Sequence, residues 1–130
     1  MGNPQRHFAV VHVGGTNGKG STAAFLAAML RASGLRVGLY TSPHLVSLRE
    51  RMLVDGTPVS EEAVTAWAAR LELLALERQA SFFEVTTAVA FADFAARGVE
   101  IAVVEVGLGG RLDATNVVEP LACGVTRIAL

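Results

Sequence analysis

Residues 8–13, FAVVHV, form a short apolar run rich in β-branched side chains, after which the chain breaks into glycine. A run of this kind predicts a strand buried on both faces. From Ser21 the residues become helix formers, STAAFLAAMLRAS, and Phe25, Leu26, Met29 and Leu30 recur at helical spacing. Gly34 is placed to stop that helix, and residues 36–40, RVGLY, predict a second strand. Residues 41–58 show no period and read as irregular, with a tight turn at Asp55-Gly56. Ser60 is a good N-cap, and Glu61 and Glu62 suit the positive end of a helix. That helix is expected to run to about Gln79, with Val64, Trp67, Leu71 and Leu74 on its inner face. A further helix over roughly 84–97 turns Val85, Ala88, Val89 and Ala92 inward. Residues 101–106, IAVVEV, predict a third strand, 107–116 a second glycine loop, and 121–129 a fourth strand. Strands alternating with helices specify an α/β fold around a doubly wound, mainly parallel sheet.

Composition narrows the function classes. With 52% hydrophobic residues in a chain of 130, there is material for one core. A net charge of −1 argues against a general nucleic-acid binder, which shows a basic face. No apolar run reaches the length needed to span a bilayer. The single cysteine, Cys123, lies in an apolar stretch and reads as a core residue; it has no partner for an internal disulfide. These features suit a reduced, cytoplasmic setting. The strand pattern continues up to Leu130 without a turn or polar tail, so the chain is expected to be part of a longer protein.

The chemistry concentrates in the loops. Of eleven basic residues, Lys19 alone is lysine, and it sits in GGTNGKGST, residues 14–22. Strand, glycine loop, then helix is a phosphate-binding arrangement, because a helix start offers unpaired N–H groups and a partial positive charge. Glycines let the backbone approach phosphate oxygens, and a lysine supplies a mobile point charge that arginine's planar fork replaces poorly. The loop departs from G-x-x-x-x-G-K-[ST]: Val13 stands where the first glycine belongs, and Gly20 follows the lysine. Residues 18–23, GKGSTA, also fit the dinucleotide fingerprint G-x-G-x-x-[GA]. That rival wants an acidic residue after the second strand, where the chain has Leu39-Tyr40-Thr41-Ser42, and it leaves Lys19 without a role. In the second loop, Thr41 and Ser42 offer oxygen ligands of the kind Mg²⁺ prefers, and His44 could contact phosphate or substrate; a plain Ser-Pro turn is the plainer alternative. Glu105 lies among Val103, Val104 and Val106, and a buried carboxylate needs a partner: an ATP-bound Mg²⁺, or an arginine such as Arg111.

Four stretches in this order, GNPQRHFAVVHVGGTNGKGST, TSPHLVSLRERMLVDGTPVS, FFEVTTAVAF and VVEVGLGGRLDATN, resemble the folylpolyglutamate synthase/dihydrofolate synthase family of the Mur-ligase type. The resemblance covers the whole chain; Gly14 is a small departure, since the family more often has Ala there. It implies that residues 1–130 are the N-terminal part of a P-loop ATP-binding domain of the Mur-ligase central-domain type, incomplete, with a C-terminal glutamate-ligase domain outside them. It implies that Thr16, Asn17, Gly18, Lys19, Gly20 and Ser21 line the ATP phosphates, with Lys19 catalytic. Ser42 and Glu105 would bind Mg²⁺; Phe82, Phe83, Glu84, Leu112, Asp113 and Ala114 would border the pterin-bearing substrate. Phe82 and Phe83 are equally good core residues. The implied partners are ATP, L-glutamate and a folate or dihydropteroate, with no nucleic acid, no membrane, and a monomer when complete. Two other classes stay open: a different P-loop NTPase or kinase, and a non-catalytic ATP-binding fragment.

Overall fold

A computed structural model describes residues 1–129. Strand β1 (Ala9–Gly14) leads through the first glycine loop into helix α1 (Lys19–Ala32), and β2 (Val37–Tyr40) follows. A 3-10 turn at Leu48–Arg51 precedes a hairpin, β3 (Met52–Val54) and β4 (Thr57–Pro58). Helices α2 (Glu61–Arg78) and α3 (Phe82–Ala96) lead to β5 (Ile101–Glu105), a 3-10 turn at Ala114–Val117, and β6 (Ala122–Val125). The sheet order is β4-β3-β2-β5-β1-β6. Strands β2, β5, β1 and β6 are parallel, and β3 and β4 add an antiparallel edge. This is the α/β sheet expected, made mixed at one end by a hairpin that the aperiodic 41–58 segment concealed. The turn at Asp55-Gly56 is where it was placed; both residues have positive φ.

The sheet is covered on both faces. On one, Val13, Val37 and Val103 pack against Ala23 and Ala27 of α1. On the other, Phe8, Val10, Tyr40 and Val104 meet Phe91 and Phe94 of α3, with Leu71 of α2 behind them. Helix α3 is buried nearly all round, because it lies between the sheet and α2. Both α2 and α3 begin on a serine that accepts an N–H from the first turn, Ser60 from Ala63 and Ser81 from Glu84.

Four details correct the sequence reading. The buried stripe of α1 is Ala23 and Ala27 flanked by Leu26 and Leu30, whereas Phe25 is 71% and Met29 61% exposed. Small alanines let α1 approach the sheet closely, and the bulkier side chains point away. Leu74 is 43% exposed, so the inner face of α2 stops at Leu71. Cys123 is exposed, not core, because among the described residues β6 is an edge strand and no helix covers it. The regular part of the fourth strand is 122–125, shorter than the 121–129 expected.

Candidate nucleotide and metal site

Three loops converge at the carboxyl ends of the parallel strands, the usual place for an α/β site. The first runs from β1 into α1. Gly18, at φ +83°, is the N-cap of α1, and a left-handed turn there lets Lys19 enter the helix directly. No side chain caps this end, and Thr22 N–H, bonded to Gly18 O at 3.0 Å, opens the helical ladder. The amides of Lys19, Gly20 and Ser21 are those a helix start leaves for an anion. The helix therefore starts two residues before the expected Ser21, which puts Lys19 in its first turn.

The earlier part of this loop is tied down instead. Thr16 and Asn17 both donate their N–H to Arg127 O, at 2.9 and 3.3 Å, and Thr16 Oγ1 accepts Ala129 N–H at 3.0 Å. The backbone amides of Thr16 and Asn17 are thus committed to the chain, while Gly18 N–H has no backbone partner among the described residues and, with the first-turn amides from Lys19 on, remains for a ligand; Thr16 still lines the cleft that holds Lys19.

The second and third loops bring the oxygen ligands. Glu105 ends β5 and is only 4% exposed. Ser42 N–H donates to Glu105 Oε2 at 3.1 Å. A methyl group built on Gly20 would lie 3.7 Å from Glu105 Oε2 and 3.9 Å from Oε1, so the start of α1 stands about one methyl group's width from the carboxylate. Burial raises the Glu105 pKa above the usual 4.5; the Ser42 N–H and the Lys19 charge pull the other way. Among the described residues no ion pair joins Glu105 to Arg111, whose side chain is exposed. A buried carboxylate with a single N–H donor beside a serine fits a hard cation held by oxygen. No cluster of three His, Cys, Asp or Glu exists among the described residues, so any cation here would draw further ligands from elsewhere.

Arg51 Nε donates to His44 Nδ1 at 2.8 Å, which fixes the imidazole within its own loop. Glu50 organises the same loop by accepting N–H from Leu45, Val46 and Ser47 at 3.1, 3.0 and 2.8 Å. These bonds hold the Glu50 carboxyl below its ordinary range.

Two cavities flank the 107–116 loop. A cleft of about 680 Å³ is lined by Lys19, His12, Thr16 and the loop's glycines. On the loop's other side, a cavity of about 380 Å³ is lined by Glu84, Leu112, Asp113 and Ala114. Four of the six residues expected to border the substrate thus share one cavity. Phe83 lies beneath the loop instead, 6.1 Å from the Tyr40 ring, and Phe82 is exposed under the Arg51 guanidinium at 5.8 Å. Gly107 permits this packing: any Cβ there would sit 2.5 Å from Phe83 Cζ.

Sequence reasoning passed over His12, Glu50 and Thr115. The signal for His12 was a polar residue inside an apolar strand. For Thr115 it was Asp113-Ala114-Thr115, the spacing at which an Asp side chain caps the N–H two residues on.

The fold has close relatives among solved structures. A folylpolyglutamate synthase from Thermotoga maritima superimposes with a TM-score of 0.94 at 47% identity, over 99% of this chain and 32% of that one. The Mycobacterium tuberculosis folylpolyglutamate synthase complexed with ADP gives 0.93 at 44% identity, over 99% and 31%. Among curated proteins, the folylpolyglutamate synthase of Lacticaseibacillus casei is 44% identical over the whole chain. The chain belongs to the folylpolyglutamate synthase/dihydrofolate synthase family. A search of protein-family models found no match. The chain spans about a third of the length of most of these synthases, and 16% of a Haloferax volcanii relative that is 47% identical, a probable bifunctional folylpolyglutamate synthase/dihydropteroate synthase.

Proposed function

We propose that this chain forms the nucleotide-binding part of an ATP-dependent ligase that joins L-glutamate to the carboxylate of a folate or dihydropteroate. The observation that carries the reading is the meeting of Lys19, Gly20, Ser42 and buried Glu105 at one end of the sheet. Its relatives support it, one of them solved as an ADP complex.

In this reading the first-turn amides of α1 and the Lys19 ammonium hold the ATP phosphates. Their charge is aimed where negative charge builds as the γ-phosphoryl group moves. Glu105 and Ser42 would hold Mg²⁺, which neutralises phosphate charge and aligns the phosphoryl oxygens when bound. The γ-phosphoryl group passes to a carboxylate oxygen of the pterin substrate, and ADP leaves. The amine of glutamate then attacks the acyl carbon; the carbon–oxygen bond to phosphate breaks and the amine loses a proton. Among the described residues none is placed as a covalent nucleophile, so orientation and charge stabilisation carry the rate. The 380 Å³ cavity beside Asp113 is the place for the pterin-bearing acceptor. The enzyme is expected to work in the cytoplasm as a monomer; no helix among the described residues is long and apolar enough to cross a membrane.

The test is ADP release by the protein that carries this chain, with Mg-ATP, L-glutamate and either dihydropteroate or tetrahydrofolate. Release that requires glutamate and a pterin supports the ligase, and the preferred pterin names the acceptor. Release indifferent to both would replace it with another P-loop NTPase.

A further inference from the structure

A buried chain of hydrogen bonds joins the two cavities through the 107–116 loop. His12 Nε2 lies 2.8 Å from Thr115 Oγ1, and the Thr115 hydroxyl lies against Asp113 Oδ1. Asp113 Oδ1 also accepts Thr115 N–H at 2.9 Å, and Oδ2 accepts Leu108 N–H at 2.8 Å. His12, Asp113 and Thr115 are all at least nine-tenths buried. Proton counting sets the direction. A carboxylate only accepts, and a threonine hydroxyl has one proton to give. Thr115 gives it to Asp113, so His12 must donate from Nε2.

The positions of the two ends suggest more than support for the fold. His12 lines the cleft that holds Lys19, and Asp113 lines the cavity that holds Glu84, Leu112 and Ala114. Asp113 also spans the loop, bonding Leu108 at one end while capping the 3-10 turn at the other. Its Oδ2 is 3.0 Å from where a Gly107 Cβ would be, so the carboxylate sets how tightly the loop closes over Phe83. Asp113 is oriented by Thr115, and Thr115 by an imidazole on β1, which lies between β5 and β6.

We propose that His12 is a positioning residue for this site: through Thr115 it fixes Asp113, and with it the loop that walls the acceptor cavity off from the nucleotide cleft. The proposal rests on the ligase reading for what fills those cavities, and on geometry alone for the loop. A purely structural histidine would change stability; a positioning one changes acceptor KM while leaving ATP KM in place.

The experiment uses the full-length protein that carries this chain, with variants Thr115→Val, Thr115→Ser, His12→Leu and His12→Gln. Valine matches threonine in shape without the hydroxyl, and glutamine can still donate an N–H toward Thr115. Two quantities are read: amide exchange at Leu108, and the KM values for pterin acceptor and ATP. Thr115→Val and His12→Leu should speed Leu108 exchange about tenfold and raise acceptor KM about as much, with ATP KM within about twofold. Thr115→Ser and His12→Gln should restore both readings. If Thr115→Val fails to fold, His12→Leu against His12→Gln carries the same comparison. Unchanged Leu108 exchange in the disrupting variants overturns the proposal, as does faster exchange with an unmoved acceptor KM. A wild-type protein that releases ADP without a pterin refutes the ligase reading alone, and Leu108 exchange then decides the positioning role.

Discussion

Replacing Glu105 by glutamine should make the metal-free protein more stable and its nucleotide binding worse. The side chain is 4% exposed and accepts one N–H, from Ser42, with the Lys19 charge nearby. Glutamine keeps the shape and an oxygen for Ser42 while removing a charge whose lost hydration one N–H only partly replaces. The gain should be about 1 kcal/mol, because hydrogen bonds to charged groups recover part of a desolvation cost of several kcal/mol. For a domain of this size that is a rise of about 4 °C in Tm. The pH dependence follows from the raised carboxyl pKa. The folded state holds the proton more tightly than the unfolded chain, so the penalty is full above the folded value. It fades as pH falls and is gone below the ordinary value of 4.5, where both states are protonated. The melting curves of Glu105→Gln and wild type should therefore separate at pH 7.5 without Mg²⁺ and merge near pH 4. In a nucleotide-binding titration, the variant should lose most of the enhancement that Mg²⁺ gives the wild type, about tenfold or more. A variant that melts below the wild type at pH 7.5 would refute the reasoning, because it would mean the carboxylate is already compensated within the chain.

Lys19→Ala should weaken ATP binding about tenfold or more by calorimetry with little change in melting temperature, and Lys19→Arg should not restore it; unchanged affinity would remove Lys19 from the site. Gly107→Ala should cost about 1–3 kcal/mol in denaturant unfolding, because the new methyl meets Phe83 Cζ at 2.5 Å, and Phe83→Leu in the same chain should recover part of it. Burial keeps the His12 pKa below the ordinary 6.5, with Asp113 opposing. The unfolded chain therefore takes up a proton that the folded site refuses, and stability falls as pH drops through 6.5 until the folded value is reached. Subtracting the His12→Gln unfolding curve from the wild type should isolate this slope, and a flat difference would show that His12 is not held neutral.

The strand–loop–helix around Lys19 was legible because each signal is local: an apolar run, a change to glycine, then helix formers. Glu105 was legible for a different reason, since a charge among valines announces that something must meet it. Period alone could not say which face of α1 turns inward, and the close approach allowed by Ala23 and Ala27 outweighed the size of Phe25 and Met29. The hairpin at Met52–Pro58 escaped because strands of three and two residues are too short to show alternation. Cys123 was misread because an apolar strand looks the same at a sheet's edge as at its centre. The His12–Thr115 bond joins residues 103 positions apart, beyond any local pattern.

The ties between the first glycine loop and Arg127 bear on when during synthesis the loop takes its shape. Thr16 and Asn17 come early in synthesis, yet their amides are satisfied by a carbonyl more than a hundred residues later. Strand β1 likewise waits for β5 and β6, its partners on either side. Such distant pairings close late in folding, since the intervening chain must be ordered before they form. A ribosome-bound chain cut short before Arg127 would carry every residue of the phosphate loop and still lack its shape. On the ligase reading, no nascent chain should bind ATP until residue 127 has cleared the exit tunnel, because the phosphate loop is pinned only then.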